Sequence, residues 1–492
     1  MKKRSKVTFY DRELETLSRE ELRKLQGRRL RKLLEEVLAG NRFYQRKLRA
    51  AGIRKPVPLS GLGDLPFTTK KEIVADQLAN PVFGTNHTYP LERYTRLHQT
   101  SGTTGAPLRC LDTPESYESF VTQWKFIYRG AGVGPGDRIF VAFSFGPFYG
   151  FWGAFDAAPQ LGCLAISGGG QTSEQRLVQM RDLRPTVLIC TPTYALRLAE
   201  VARTMGIDTT RLGVRVTIHA GEPGASIPST RKRIEDLWGA KAYDHCGMTE
   251  VGGVGFECSA QVGPHVIESQ FIAEVIDPET EKPIEEGRGE IVLTTLGRAA
   301  SPLIRYRSGD LADLVRRRCA CGRTFAHLRG GLLGRADDMM TIRGINVFPS
   351  AIENILRCFP EVVEFQGIVT REMEMQELLL RLETEGLAEP EQQGLAQRIA
   401  AEMHTRLQLR PSLEFAPPGS LPRAEMKSRR FKVPPLDTSV SGDAIADSRR
   451  RFEEVLAKVP DVEPEDFDRL PEATPKRAIT QAKRKHRLRN AR

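Results

Sequence analysis

The sequence is short of cysteine and of long apolar runs. Its 8 cysteines are scattered over 492 residues, which favours free thiols or metal ligands over a disulfide framework. No apolar stretch approaches the ~18 residues that a membrane helix needs. The basic start, MKKRSKVTFYDRELETL, has no apolar core typical of a secretion signal. These absences predict a soluble, cytoplasmic protein without a membrane partner.

Acidic residues are missing from residues 475–492, where eight Lys or Arg side chains lie together. Without that tail, the formal net charge of +11 falls to +3, so the body of the protein is nearly neutral. A strongly basic chain is typical of nucleic-acid binding, but here the charge belongs to one end. We interpret the tail as a solvated, disordered end first and as a weak polyanion contact second.

The chain is long enough for two to four structural units at roughly 150 residues each. Ser18 and Glu21 form a capping-box pattern ahead of an apolar helical stripe. Short apolar strand-like runs alternate with helix-like runs at 135–220, which predicts α/β layers, and strand-like segments without helices follow at 271–315. The predicted fold is therefore α/β with an added β unit at 1–335, a smaller α+β block at 336–435, and an extension at 436–492.

Residues 98–110, HQTSGTTGAPLRC, form a loop of small hydroxyl residues and glycines. Backbone N–H groups and hydroxyls in such a loop can face one anionic ligand, and phosphate is the obvious candidate. An ordinary P-loop ends in Gly-Lys-Ser/Thr, but Ala106 stands where the lysine would help. A flexible surface loop is the alternative interpretation.

Further motifs follow in a fixed order. They are AGEP at 220–223, DHCGMTE at 244–250, IRYRSGD at 304–310, GRADDMMTIRGINVFPSAIE at 334–353 and LPRAEMK at 421–427, with PFTTK at 66–70 upstream. Together with TSGTTGAP, the ordered set resembles the adenylate-forming superfamily of acyl-CoA synthetases, specifically its phenylacetate-CoA ligase branch, over about residues 40–432.

The resemblance implies a large N-terminal domain, a C-terminal lid domain on a hinge, and two reaction steps. A carboxylic acid attacks ATP to form an acyl-adenylate, and coenzyme A then displaces AMP. Such chemistry needs reactants to be positioned and phosphate charge to be neutralised. The implied nucleotide-binding residues are Thr100, Ser101, Gly102, Thr103, Thr104, Gly105, Gly221, Glu222, Pro223, Asp244, Gly247, Asp310 and Arg335.

The same resemblance assigns the catalytic positions. Glu250 is implied as the Mg²⁺ ligand, with Thr249 beside the phosphates, and one carboxylate plus phosphate oxygens is ordinary Mg²⁺ coordination. Lys427 matches the lid lysine, where a flexible point charge can reach both the carboxylate and the α-phosphate. Asp337 matches the hinge position, where a few torsions would rotate the lid.

Two departures from the family pattern concern the ligands. Cys246 stands where the family usually has an aromatic residue, so stacking on adenine must be weaker or come from elsewhere. The acyl pocket is expected at the aromatic stretch SFGPFYGFWGAF, with Phe145, Phe148 and Tyr149, although such a stripe is equally typical of a core. His219 replaces a hydrophobic residue, which suggests a substrate with a polar group.

Four of the cysteine and histidine positions suggest a structural zinc. Cys258, His265, Cys319 and Cys321 form a Cys₃His set suited to tetrahedral Zn²⁺, and some phenylacetate-CoA ligase-like proteins carry a metal with this residue order. The spacing is looser than in a zinc finger, so four unrelated polar residues are the alternative. The remaining cysteines outside position 246, namely Cys110, Cys163, Cys190 and Cys358, are predicted to be buried thiols.

The leading hypothesis is an ATP-dependent ligase that joins an aromatic or bulky carboxylic acid to coenzyme A. One alternative resembles coenzyme F390 synthetase, which transfers AMP to a hydroxyl group. Another is a catalytically lapsed paralogue that binds partners through its tail. The presence of Glu250, Asp310 and Lys427 together argues against this alternative. The sequence does not identify the acid, and it does not decide whether CoA or another thiol or amine is the acceptor. It also leaves open whether the protein forms a homodimer.

Overall fold

The computed structural model describes residues 7–100, 106–143, 145–147, 149–336, 338, 340–343, 345–372, 375–423 and 430–432. Its helices are α1 Arg12–Glu15, α2 Arg19–Gly40, α3 Arg42–Ala50, α4 Lys70–Ala79, α5 Pro114–Gly130, α6 Tyr149–Gln160, α7 Ser173–Leu183, α8 Pro192–Thr204, α9 Pro228–Trp238, α10 Pro349–Leu356 and α11 Glu389–Leu407. Short 3₁₀ helices lie at Leu59–Asp64, Leu91–Arg93 and Thr209–Arg211.

The strands in the first half of the chain are β1 Arg96–Gln99, β2 Arg109–Asp112, β3 Arg138–Val141, β4 Leu164–Ser167, β5 Val187–Cys190, β6 Val216–His219, β7 Lys241–Met248, β8 Gly252–Phe256, β9 His265–Val266 and β10 Phe271–Ile276. Those in the second half are β11 Pro283–Ile284, β12 Gly287–Thr295, β13 Tyr306–Val315, β14 His327–Arg335, β15 Met340–Ile342, β16 Ile345–Val347, β17 Val362–Glu372, β18 Met375–Thr384, β19 Ser412–Ala416 and β20 Phe431–Lys432.

One large mixed sheet dominates the fold. Its strand order is β11-β10-β12-β13-β14-β9-β8-β7-β6-β5-β3-β4. Strands β4, β3, β5, β6 and β7 are parallel, and the pairs from β7 to β11 are antiparallel. Every residue of β5 and β6 is buried, as expected for central parallel strands covered by helices on both faces. The predicted α/β layer and the added β unit are both confirmed.

The N-terminal helices pack onto this sheet. Helix α2 begins with the predicted capping box, since the Ser18 hydroxyl accepts from the backbone N–H of Glu21 and the Glu21 carboxylate accepts from the backbone N–H of Ser18. Arg19 makes a two-pronged ion pair with the buried Glu268, at 2.6 and 2.8 Å. The side chain of Gln26 donates to the carbonyls of Glu268 and Phe271. The start of the chain is thus joined to the β8–β10 region.

A second hydrophobic core forms after residue 340. Its four-stranded sheet has the order β19-β18-β17-β20, and helices α10 and α11 cover it with buried side chains such as Ile352, Leu356, Leu395 and Ile399. This core is distinct from the first cluster, which ends at Leu328. The chain therefore has a large N-terminal domain and a smaller α+β C-terminal domain, as the sequence predicted.

Polar contacts join the C-terminal domain to helices α8 and α9. Arg423 pairs with Glu200 on α8 at 3.2 Å, and Arg430 donates to the hydroxyl of Thr193 at 3.2 Å. On α9, the Ser229 hydroxyl donates to the side chain of Asn354 at 2.8 Å. These contacts join the C-terminal domain to the helices that cover the parallel strands.

One predicted buried thiol is wrong. Cys110, Cys163 and Cys190 are buried, but Cys358 is exposed. It lies in the turn after α10, where its thiol donates to the carbonyl of Asn354 at 3.2 Å. Among the helices that the structure describes, none has the length and apolarity required to cross a bilayer.

Candidate active site

The glycine-rich loop connects the two strands of a hairpin. Strands β1 and β2 pair in antiparallel register, with Gln99 opposite Arg109. The Thr100 N–H donates to the carbonyl of Leu108, and the Leu108 N–H donates to the Thr100 hydroxyl, both at 3.0 Å. These two bonds close the loop at its base. Residues Ser101, Gly102, Thr103, Thr104 and Gly105 lie outside the described residues.

The next motifs lie at the carboxyl ends of parallel strands, where open α/β sheets usually bind ligands. Gly221, with a φ of 94°, begins the turn that follows β6. The Glu222 carboxylate accepts from the N–H of Thr193, 2.8 Å away in the first turn of α8, while Gly221 and Pro223 are exposed. Asp244 and Gly247 lie on β7, the neighbouring strand. The topology therefore brings AGEP and DHCGMTE to one edge.

Asp244 is a buried carboxyl group beside a second one. Ser226 donates its hydroxyl hydrogen bond to Asp244, and the backbone N–H of Asp244 donates to Glu257 at 2.8 Å. Burial and then the neighbouring Glu257 raise the pKa of Asp244 to about 7, although Arg231 opposes part of this effect. Asp244 therefore changes charge in the physiological pH range.

Cys246 is buried against the main chain of β8. It is paired with Gly255, and a Cβ built on that glycine would lie only 2.8 Å from the Cys246 sulfur. Burial raises the pKa of this thiol, so it remains protonated. The small side chain thus fits a narrow space between two strands and presents no flat ring to a nucleotide.

Glu250 lies buried at the end of the same motif, beside the half-buried Thr249. Its carboxylate accepts from the Lys70 ammonium at 2.9 Å, and its backbone carbonyl accepts from Arg298 at 2.5 Å. Lys70 is placed there by PFTTK, because Thr68 bridges to Tyr306 and a Thr69–Glu72 capping box starts α4. PFTTK by itself does not indicate this contact of Lys70, and no sequence motif points to Arg298.

Asp310 lies on β13, opposite Arg335 on β14. Their side chains approach to 3.4 Å between the Arg335 Nη1 and the Asp310 Oδ1. Burial and the nearby carboxylates of Glu250 and Asp310 all raise the pKa of Tyr306, which places that buried ring near both groups. The structure therefore brings Glu250 and Asp310, predicted from separate motifs, into one neighbourhood.

The aromatic stretch follows β3, and its described rings divide into a half-buried and a buried part. Phe145, Phe151, Trp152 and Phe155 are half-buried. The ring of Phe145 lies 4.9 Å from Trp152 and 5.4 Å from Phe155. Tyr149 is fully buried against Phe120 and His98, and Phe148 lies outside the described residues.

The structure contradicts the expectation that His219 offers a polar group to a substrate. The ring is fully buried at the end of β6. Its Nδ1 bonds the Cys190 carbonyl at 3.1 Å, and its Nε2 bonds the Thr217 hydroxyl at 2.8 Å. Burial lowers the pKa of His219 to about 4. It is a neutral core residue whose hydrogen-bonding atoms are already occupied.

The four predicted zinc ligands converge on one buried point. The candidate ligand atoms of Cys258, His265, Cys319 and Cys321 all lie within 4.8 Å of one another. The sulfurs of Cys258 and Cys319 are 3.8 Å apart, and the Cys321 sulfur is 3.7 Å from the His265 Nε2. Zn–S bonds of about 2.3 Å in a tetrahedron give S···S separations of about 3.8 Å.

The surroundings of this cluster also fit a metal. The second ring nitrogen of His265 bonds the Phe325 carbonyl at 3.1 Å, which fixes the ring orientation as metal-ligating histidines usually require. Arg323 lies 3.5 Å from the Cys321 sulfur and pairs with the buried Glu15 at 2.5 Å. The donor set therefore fits Zn²⁺. The remaining predicted residues, Lys427 and Asp337, lie outside the described residues.

Comparisons with known families agree with the order of the motifs. The family described as AMP-binding enzyme matches residues 91–298, and the AMP-binding enzyme C-terminal domain matches residues 344–432. The phenylacetate-coenzyme A ligase of Thermus thermophilus is 35% identical over 440 residues, covering 85% of this chain and 97% of the relative. The Escherichia coli enzyme of the same name is 32% identical, with 85% and 96% covered.

Two solved structures of one ligase, in different reaction states, have the same fold. A 2-hydroxyisobutyryl-CoA ligase in the postadenylation state, in complex with R3-HIB-AMP, matches with a TM-score of 0.82 at 29% identity, covering 91% of this chain and 95% of that one. The same ligase in the thioesterification state matches with a TM-score of 0.64 at 32% identity, covering 86% and 91%.

Proposed function

The chain belongs to the phenylacetate-coenzyme A ligase family, and we propose from that premise that it activates an aromatic or otherwise bulky carboxylic acid. It is an AMP-forming acid–CoA ligase. Such an enzyme couples the acid to ATP as an acyl-adenylate with release of pyrophosphate. The thiol of coenzyme A then displaces AMP to give the thioester.

The observation that carries the aromatic preference is the half-buried ring cluster after β3. Phe145 follows the parallel strand β3, and Phe151, Trp152 and Phe155 come from α6, the next helix, where Trp152 and Phe155 contact the Phe145 ring. Small-molecule pockets in α/β sheets lie at such edges and are commonly lined by aromatic side chains. Since His219 offers no free polar atom, the ring cluster favours an apolar acyl group over one with a polar substituent.

The polar residues divide the work on the nucleotide. The loop that begins at Thr100 holds the β- and γ-phosphates, Glu250 would hold the Mg²⁺ that enters with ATP, and Thr249 lies beside the phosphates. Asp310 accepts the ribose hydroxyls, and Asp244 faces the adenine amino group. When bound, Mg²⁺ neutralises the charge that develops on the phosphate oxygens. The chain's own contribution is to hold these groups at fixed positions.

The lid orientation corresponds, in this proposal, to the pose in which the acyl-adenylate has just formed and the lid has not yet rotated for thioester formation. The larger TM-score to the postadenylation structure, 0.82 against 0.64, supports this assignment. Arg423 bridges Glu200 of α8 and Glu383 of the lid, and Arg430 bridges Thr193 of α8 and Glu364 of the lid. Lys427 lies between these two arginines in the sequence. We therefore assign its role in adenylation to this pose.

The raised pKa of Asp244 predicts a pH dependence of ATP use. A carboxyl group with a pKa of about 7 is mostly protonated at pH 6 and mostly ionised at pH 8. The ionised form is the better acceptor for the adenine amino group. We expect the KM for ATP to be about tenfold higher at pH 6 than at pH 8, because the ionised fraction of Asp244 is about tenfold smaller at pH 6. Asp244→Asn should flatten this profile. A KM that rises with pH, or an unchanged profile in the variant, would contradict the assignment.

We also propose that the Cys₃His cluster holds a structural zinc. When bound, the ion would join the β8–β9 turn to the loop before β14 through Cys258, His265, Cys319 and Cys321. Arg323 would balance the excess negative charge of three thiolates on one divalent ion. The zinc ion would take no part in the ligase chemistry, because four protein side chains would already complete its coordination.

A panel of acids tests the proposed substrate class. The measurement is kcat/KM for CoA-thioester formation with phenylacetate, benzoate, a branched short acid such as 2-hydroxyisobutyrate, and acetate. We expect the aryl acids to exceed acetate by at least about 10²-fold, since a buried ring removes far more apolar surface than a methyl group. Equal or better use of the short acids would overturn the aromatic proposal while leaving the ligase activity intact.

A further inference from the structure

Two arginines of the lid each hold a carboxylate of their own domain. Arg423 donates to both oxygens of Glu383, at 2.5 and 3.0 Å. Arg430 donates in the same two-pronged way to Glu364, at 2.6 and 3.1 Å. Paired, charge-assisted hydrogen bonds of this kind fix the plane of a guanidinium group. The C-terminal domain therefore orients both arginines by itself.

The same two guanidinium groups also reach helix α8 of the N-terminal domain. Arg423 contacts the Glu200 carboxylate through Nη2 and Nε, at 3.2 and 3.4 Å. Arg430 donates from Nη1 to the Thr193 hydroxyl at 3.2 Å, and it shares that nitrogen with Glu353 of the lid at 3.3 Å. The contacts between the two domains are therefore longer than the two-pronged pairs within the lid.

The contact between Arg423 and Glu200 can open without leaving an unpaired charge. Glu200 keeps Arg197, which lies one turn away on α8 with its Nη1 at 2.9 Å. Arg423 keeps Glu383. Removing the sole partner of a poorly exposed charge is costly, whereas a charge that retains a second partner avoids most of that cost. This pairing pattern fits a contact that forms and breaks in each reaction cycle.

Thr193 connects the second contact to the AGEP turn. Its hydroxyl accepts from Arg430, while its backbone N–H donates to the Glu222 carboxylate at 2.8 Å. Glu222 belongs to AGEP, the turn that follows β6. Thr193 is buried, and it lies in the first turn of α8. The lid is therefore joined at this point to a residue that also binds the AGEP turn.

We propose that Glu200 and Thr193 are positioning residues that hold the lid in its adenylation pose through Arg423 and Arg430. In this proposal they touch neither the nucleotide nor the acyl group, and they set the fraction of enzyme in that pose. The inference rests on the proposed function, in which the lid rotates between adenylation and thioester formation. Because a contact made in one pose alone biases the balance towards that pose, removing it should favour the rotated pose.

The rates of the two half-reactions report this balance. Adenylation follows the fraction of enzyme in the adenylation pose, and thioester formation follows the fraction in the rotated pose. Their ratio therefore changes in proportion to the pose equilibrium, whatever its starting value. A loss of stability lowers the amount of active enzyme and reduces both rates by the same factor. The ratio thus separates a positioning role from a purely structural one.

Single-turnover measurements on full-length Glu200→Gln and Thr193→Val test the proposal. One measurement follows pyrophosphate release from ATP with phenylacetate, and the other follows thioester formation from supplied phenylacetyl-adenylate and coenzyme A. We expect the rate of thioester formation relative to adenylation to rise at least about fivefold in each variant, the scale of one lost hydrogen bond to a charged group. Both substitutions preserve the size of the side chain, so the fold should be retained.

Asp236→Asn is the matched control, because Asp236 makes an exposed ion pair with Lys232 within α9. An exposed pair contributes little, so the ratio should stay within about twofold of the wild-type value. An unchanged or lower ratio in either folded variant, or an equal rise in Asp236→Asn, would overturn the positioning role. A wild-type protein that forms neither acyl-adenylate nor thioester would instead overturn the proposed function, which separates its failure from failure of this inference.

Discussion

Replacing Lys427 with alanine is expected to slow acyl-adenylate formation by about 10²-fold or more, the scale of one lost transition-state donor. The glycine-rich loop lacks the lysine of an ordinary P-loop, since Ala106 stands in its place. Another cation must therefore meet the α-phosphate when the carboxylate attacks. We assign that role to Lys427 from the LPRAEMK motif. Single-turnover measurement of acid-dependent pyrophosphate release tests this prediction.

The second half-reaction provides the internal comparison. Thioester formation from a supplied acyl-adenylate should be much less affected by Lys427→Ala, because the lid has rotated away by then. Lys432→Ala is the matched control, as Lys432 is an exposed lysine on β20 of the same domain. The assignment is wrong if both half-reactions fall together, if neither falls, or if the Lys432 variant reproduces the defect.

Cys319→Ser is expected to remove a stoichiometric zinc ion and to lower the free energy of unfolding by at least about 3 kcal/mol, because metal binding at a structural site contributes directly to folding. The ligand atoms of the cluster lie within 4.8 Å of one another. A bound zinc would cross-link distant segments of the chain, since Cys258 and Cys319 are 61 residues apart in the sequence. Elemental analysis of the purified protein and denaturant unfolding measure the two effects.

Cys358→Ser is the matched control for this zinc prediction. Its thiol is exposed and lies outside the cluster, so we expect one zinc per chain and unchanged unfolding. The zinc proposal fails if wild-type protein contains no stoichiometric zinc. It also fails if Cys319→Ser unfolds at the same denaturant concentration as the wild type.

Periodic patterns and capping signals in the sequence predict much of this fold. The capping box at Ser18 and Glu21, the alternation at residues 135–220 and the helix-free segments at 271–315 all match observed elements. These features depend on local chemistry: side-chain caps, apolar spacing and strand-forming residues. The order of the motifs likewise predicted the family, and the cysteine and histidine positions predicted a cluster that the structure brings together.

Long-range side-chain geometry could not be predicted in the same way. His219 ends a strand beside a ligand-binding turn, but its ring turns into the sheet because Thr217 and the Cys190 carbonyl satisfy it there. Arg298 carries no sequence motif, and only the structure shows that its side chain contacts both Asp112 and the Glu250 backbone. Lys70 is part of PFTTK, but its contact with Glu250 depends on a long-range backbone bridge between Thr68 and Tyr306.

Pyrophosphate exchange into ATP without coenzyme A is the most direct measurement of the central claim. An enzyme that forms a bound acyl-adenylate should catalyse exchange only when a suitable acid is present. Addition of coenzyme A should then yield AMP and acyl-CoA in equal amounts. Exchange that instead requires a hydroxyl acceptor would identify a nucleotidyl transferase. Absence of exchange with every acid, in protein that binds Mg·ATP, would contradict the ligase account and indicate a lapsed enzyme.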